Sequence, residues 1–238
     1  MENKFVYFFG AGKAEGNGKM RDLLGGKGAG LAEMTNSGVA VPAGLTITTE
    51  MCDQYYKNNK NFPAGLEKQV EDNIVNLEKT MGMQLGNPDN PLLVSVRSGA
   101  RESMPGMMDT ILNLGINDKV VEGLIKKTNN PRFAWDSYRR FIQMFSDVAM
   151  DVSKHFFEEA LTAAKDSLAK KTNRNPKDVK DTDLSTEELK ELVSTYKQIY
   201  KKHKGEDFPQ DPKVQLWAAI KAVFNSWNNE REGPSDTE

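Results

Sequence analysis

The sequence predicts an α+β protein, a small sheet with helices joined to an all-helical region, on three observations. Short β-branched and aromatic segments (KFVYFF, LTITT, LLVSV) occur only before Arg97, with amphipathic segments between them. Strand-like segments disappear after Asn117. Four long helical patterns then follow one another as far as His203.

Lys4 to Phe9 reads as a strand, and Gly10, Gly12, Gly16 and Gly18 after it predict a mobile loop in place of a regular element. KGAGLAEMT, from Lys27 to Thr35, sets Leu31 and Met34 on one helical face with Gly38 as a stop. A short helix is therefore expected just after Gly25-Gly26. Leu45 to Thr49 and Leu92 to Val96 read as strands, the second buried enough to lack alternation. Met51 to Tyr56 and Leu66 to Met81 carry helical patterns between them.

Helices are then expected over Asp118 to Lys127, Arg132 to Met150, Lys154 to Lys171 and Thr186 to His203. Lys170 to Asp183 is charged and nearly devoid of apolar residues, which predicts an exposed connection. After GEDFPQDP a last helix from Val214 to Trp227 carries a wide apolar stripe of Leu216, Trp217, Ile220, Val223, Phe224 and Trp227, and the stripe needs a partner surface. The expected division is an α+β lobe from 1–116 and 206–230, a helical subdomain from 117–205, and a disordered tail over 231–238.

Composition removes several function classes. The 238 residues carry 32 Lys and Arg against 34 Asp and Glu, a net charge of −2, so nucleic acid is not held by a basic surplus. Cys52 is the sole cysteine and His155 and His203 the sole histidines, which excludes an internal disulfide, a thiolate zinc cluster and a histidine-rich metal site. No apolar run is long enough to span a bilayer, and the N-terminus lacks a signal-peptide layout, so the expectation is a cytoplasmic chain with no membrane partner.

Two segments suggest chemistry. Gly12 to Lys19 fails the phosphate-loop pattern, because Lys13 stands where its first glycine belongs and Met20 follows Lys19. Leu23 to Met34 (LLGGKGAGLAEM) is more informative. Glycines precede a helix start that carries Lys27, and backbone N–H groups there attract phosphate oxygens while the ammonium adds a point charge. A glycine-rich turn with a solvent-exposed lysine is the competing reading.

In Ser95 to Asp109 (SVRSGARESMPGMMD), Arg97 leaves a strand end, Arg101 follows, and Ser98, Gly99, Ser103 and Gly106 supply donors and close approach for phosphoryl oxygens. The competing reading is a long connection with Met104, Met107 and Met108 as core fill. Arg139-Arg140 with Lys126-Lys127 read as a solvated helix face, Trp135, Tyr138, Phe141 and Phe145 as a core stripe, and His155 as structural.

LLGGKGAGLAEMTNSGVAVPAGLTITTE (Leu23 to Glu50), PLLVSVRSGARESMPGMMDTILNLGIN (Pro91 to Asn117) and NPRFAWDSYRRFIQMFSDV (Asn130 to Val148) closely resemble the N-terminal nucleotide-binding region of the pyruvate, phosphate dikinase family. The wider group of ATP-grasp phosphotransferases that load a histidine, phosphoenolpyruvate synthase among them, shares the G-K-G-x-x-L-x-E and V-R-S patterns. GARESMPGMMDTILNLG favours the dikinases.

The resemblance implies the first lobe of an ATP-grasp domain with an all-helical insert. Lys27 and Arg97 match the family's ATP-site lysine and arginine, Gly106 and Met108 lie in its loop over the nucleotide, and Arg101 and Ser103 are neighbours. A further nucleotide-facing lysine is expected among Lys165, Lys170 and Lys171.

In the family, ATP gives a pyrophosphoryl group to a histidine on a swivelling domain, which carries a phosphoryl group to pyruvate. The second ATP-grasp lobe with the acidic Mg2+ ligands, the phosphohistidine domain and the pyruvate-binding barrel are absent from this sequence. The implied fold is thus an incomplete ATP-grasp, with no metal ligand of its own. The expectation is a monomeric piece of a phosphotransferase that binds ATP weakly without turnover. The alternative is a non-catalytic interaction or regulatory module that assembles with the remaining enzyme.

Overall fold

VYFFG, aromatic and β-branched in succession, forms β1 (Val6–Gly10). β1 pairs antiparallel on both edges, with β2 (Lys13–Ala14) through Gly10↔Lys13 and with β3 (Gly44–Ile47) through Val6↔Ile47 and Phe8↔Leu45, so the sheet order is β2-β1-β3. The computed structural model describes residues 3–99, 108 and 110–231. Its contacts divide the chain into two units, the first of 1–83, 97–108 and 223–238, the second of 84–96 and 109–222. The change of sequence character at Asn117 falls inside the second unit. The tail expected from 231 lies, apart from Arg231, outside the described residues.

The mobile loop expected after β1 is instead an ordered hairpin. Ala11 and Gly12 adopt φ of 53° and 77°, the positive pair that a two-residue type I′ turn requires. Glu15 accepts from the Phe8 N–H at 2.7 Å and pairs with Lys4. Asn36 accepts from the Ala14 N–H and donates to the Gly16 carbonyl. The glycines that exclude long regular structure here permit a tight one. Because alanine tolerates the left-handed region poorly and asparagine well, Ala11→Asn is expected to stabilise the chain by roughly 0.5–1 kcal/mol, read as a higher denaturant midpoint.

Three helices complete the N-terminal part of this unit: α1 (Arg21–Asn36), α2 (Thr49–Lys57) and α3 (Leu66–Met81). α1 meets the sheet through small residues. Ala29 and Ala32 are buried with Leu24, with Tyr7 and Ala14 packed against them, and a Cβ on Gly28 would stand 2.8 Å from Thr46 Cγ2. On α3, Gln69 accepts from the Phe5 and Val6 N–H groups at 2.7 and 3.2 Å, tying that helix to the start of β1.

In the second unit β4 (Gln84–Leu85) pairs parallel with β5 (Pro91–Leu92), and β6 (Val94–Val96) antiparallel with β7 (Ile111–Leu114). The single strand expected over Leu92 to Val96 is therefore split, its halves paired with different partners. α4 (Asp118–Thr128), α5 (Pro131–Met150), α6 (Lys154–Thr172) and α7 (Thr186–Lys204) follow. Their ends obey local chemistry: Asn117, Asn130 and Ser153 cap N-termini with side-chain oxygens, Ser185 and Glu188 form a capping box, and Asn129, Asp151, Asn173 and Gly205 end helices in the left-handed region. Tyr138, Phe141 and Phe145 of α5 pack with Phe157, Tyr196, Tyr200 and Phe208, all at most 2% exposed.

One expectation fails here. Arg139 is not on a solvated face but 4% exposed, with Nε 2.9 Å from Asp136 Oδ1 and Nη2 3.6 Å from Asp181 Oδ2. The connection expected over Lys170 to Asp183 is exposed apart from Val179 and the half-buried Asp181, and it carries short 3-10 turns at Pro176–Asp178 and Asp181–Asp183. Arg132 donates to the carbonyls of Asp181 and Leu184, and Lys165 Nζ lies 3.0 Å from Asp181 Oδ1. Charged residues that look solvated in sequence thus hold the connection down.

Burial raises the Asp181 carboxyl, but the Lys165 hydrogen bond and the charges of Lys165, Arg139 and Arg140 outweigh it, so it sits below the usual range. A depressed folded value means stabilisation that is complete above the unfolded value, about 4, and lost as pH falls through the folded one. Asp181→Asn is accordingly expected to lower the denaturant midpoint near pH 7 and to match the unaltered chain at acid pH below the folded value.

α8 (Pro212–Arg231) contributes to both units. In the second, its Gln215 accepts from the Gly115 N–H and donates to the carbonyls of Ile116 and Pro209. In the first, Phe224 packs its ring on Tyr55 and Phe62 at centroid distances of 5.3 and 5.8 Å, and Tyr56 donates to the Phe224 carbonyl at 2.8 Å. α2 is therefore the partner of the stripe at this end.

Candidate functional site

α1 is not continuous. Gly25 sits at φ 72° and ψ 169°, and the helix resumes after it. A resumed helix presents a second N-terminus, whose first N–H groups lack carbonyls one turn back. Lys27 stands in that first turn and is half-buried. Among the described residues its ammonium makes no ion pair or hydrogen bond.

The strand-exit segment lies against this turn. The Lys27 N–H points to the Gly99 carbonyl oxygen at 3.4 Å, and a Cβ on Gly25 would stand 2.4 Å from that oxygen. Gly25 thus meets two requirements at once, a positive φ and room for a carbonyl. Arg97, two residues before Gly99, is exposed and likewise makes no ion pair among the described residues. Between them Ser98, 1% exposed, accepts from Trp227 Nε1 at 3.0 Å.

The two glycine-rich segments singled out in sequence therefore meet, through Gly25, Lys27 and Gly99. Met108 is half-buried, whereas Arg101, Ser103 and Gly106 lie outside the described residues. Of the three lysines expected in the helical region, Lys165 is committed to Asp181, and Lys170 and Lys171 are exposed in the last turn of α6. The sequence gives no sign of the Trp227 contact with Ser98. Its place in an apolar stripe conceals its N–H, although a tryptophan at a stripe's end combines an apolar body with a polar tip.

A helix N-terminus, with an ammonium and a guanidinium that have no partner among the described residues, suits an anion with several oxygens, such as a chain of phosphates. Among the described residues no group of three or more His, Cys, Asp or Glu side chains is placed to hold a metal ion. No described helix is long and apolar enough to cross a membrane.

The family model described as the pyruvate phosphate dikinase AMP/ATP-binding domain matches residues 21–64 and 59–232. Pyruvate, phosphate dikinase of Clostridium symbiosum is 54% identical over 229 residues, covering 96% of this chain and 25% of the relative. The chloroplastic pyruvate, phosphate dikinase 1 of Oryza sativa subsp. japonica is 54% identical over 228 residues, 96% of this chain and 23% of its own. The Rhizobium meliloti enzyme is 52% identical over 228 residues, covering 96% and 24%. The chain spans about a quarter of the length of these relatives.

Proposed function

The chain belongs to the pyruvate phosphate dikinase AMP/ATP-binding domain family, and on that premise we propose that it grips the phosphates of ATP between Lys27, at the resumed start of α1, and Arg97. Arg101, Ser103, Gly106 and Met108 complete the grip as a loop over the nucleotide. Mg2+ arrives with ATP and takes its protein ligands from a second lobe beyond this sequence. The two cations neutralise charge on the transferring group and fix its position, the contributions that dominate phosphoryl transfer.

In the complete enzyme the pyrophosphoryl group passes to a histidine on a separate domain, and a phosphoryl group then reaches pyruvate to give phosphoenolpyruvate. The 238-residue chain alone is a cytoplasmic monomer that binds ATP weakly and does not turn it over. The observation that supports this reading is the contact of the Lys27 N–H with the Gly99 carbonyl, which brings the backbone turn bearing Lys27 against the segment bearing Arg97.

Calorimetric titration with ATP and Mg2+ tests it. The expected result is saturable binding of one nucleotide per chain, with no accumulation of AMP or phosphate on long incubation. Absence of saturable binding, together with tight association with a chain bearing the acidic lobe, would favour a purely assembling role.

A further inference from the structure

The geometry points to Trp227 as a positioning residue for this phosphate grip, an inference that rests on the nucleotide reading above. The end of α8 that bears it is anchored by aromatic packing. Phe224 lies on Tyr55 and Phe62, Tyr56 donates to the Phe224 carbonyl, and Tyr55 donates to Asn225 Oδ1 at 3.2 Å. One helical turn beyond that anchor, the indole N–H of Trp227 reaches the Ser98 hydroxyl.

An indole nitrogen donates and never accepts, so Ser98 is the acceptor, and the direction of this bond is fixed. Ser98 is covalently between Arg97 and Gly99, and Gly99 meets Lys27. The run Trp227, Ser98, Gly99, Lys27 therefore connects α8 to both proposed phosphate ligands within the first unit. Phenylalanine would fill nearly the same ring space against the apolar surface. It would remove this one hydrogen bond from the buried Ser98 hydroxyl, and the loss of a buried hydrogen bond is costly enough to favour rearrangement. The rearrangement would move the backbone that carries Arg97.

The test uses the 238-residue chain, ATP with Mg2+ in calorimetry, and the indole N–H resonances in nitrogen-15 spectra. Trp227→Phe and Ser98→Ala are each expected to weaken ATP binding about tenfold, the effect of one hydrogen bond. The double variant is expected to bind no more weakly than either single one, because both remove the same link. The indole resonance missing from Trp227→Phe is expected to shift on ATP addition in the unaltered chain. Loss of a merely structural bond would lower the melting temperature without changing affinity well below it.

ATP affinity unchanged in Trp227→Phe, or a Trp227 resonance indifferent to ATP, overturns the inference and leaves the nucleotide reading standing. No binding by the unaltered chain removes both. Should Ser98→Ala fail to fold, Trp227→Phe alone decides.

Discussion

A Lys27→Ala/Arg97→Ala double variant is expected to bind ATP about a hundredfold or more weakly than the unaltered chain, with its fold intact. A hydrogen bond to a charged group contributes on the order of 1.5–3 kcal/mol, and two such groups on one polyphosphate therefore account for at least two decades of affinity. The fold should survive because neither side chain has a protein partner among the described residues, and Arg97 is exposed. Surface changes of this kind cost within about 0.5 kcal/mol. Each single variant is expected to lose about tenfold. Equal affinity in the double variant would remove both residues from the site.

Gly25→Val is expected to do more, destabilising the chain by about 3 kcal/mol or more and abolishing nucleotide binding. Two costs coincide at this position. The φ of 72° is one that a β-branched residue avoids, at roughly 1–2 kcal/mol, and the added Cβ would lie 2.4 Å from a backbone oxygen, which cannot rotate away as a side chain can. Relieving the clash separates Gly99 from the Lys27 turn, so the site opens as the fold weakens.

Gly30 of the same helix is the matched control. A Cβ there meets nothing within 4 Å, and Gly30→Ala is expected to stabilise by roughly 0.5–1 kcal/mol through helix propensity. Chemical denaturation of the two variants distinguishes a requirement for glycine at Gly25 from a general sensitivity of α1.

The helices were the legible part of this fold because their evidence is local. The pattern over Leu66 to Met81 coincides with α3, and the four patterns after Asn117 match α4 to α7 within a residue or two. β2, β4 and β7 were not foreseen. Two of them are two residues long, and all exist through partners, so no period in the sequence announces them. The hairpin turn was hidden because Ala11-Gly12 replaces the Asn-Gly pair that usually signals it.

Arg139 shows a different limit: a charge in a helical pattern looks solvated until the segment covering it, here around Asp181, is placed by tertiary structure. For the candidate site, residue chemistry left alternatives open, and the family resemblance points to Lys27 and Arg97. The meeting of their two segments depends on Gly25 against Gly99, seventy-four positions apart, a contact that neither segment encodes alone. Trp227 lay beyond reach for the same reason.

Backbone amide hydrogen exchange with and without ATP and Mg2+ tests the central claim most directly. If the phosphates rest between the resumed start of α1 and the strand exit, exchange slows together at 26–28 and 97–99. That protection is lost in the Lys27→Ala/Arg97→Ala chain. Slowing confined to other segments, or the same protection in the double variant, would contradict the account.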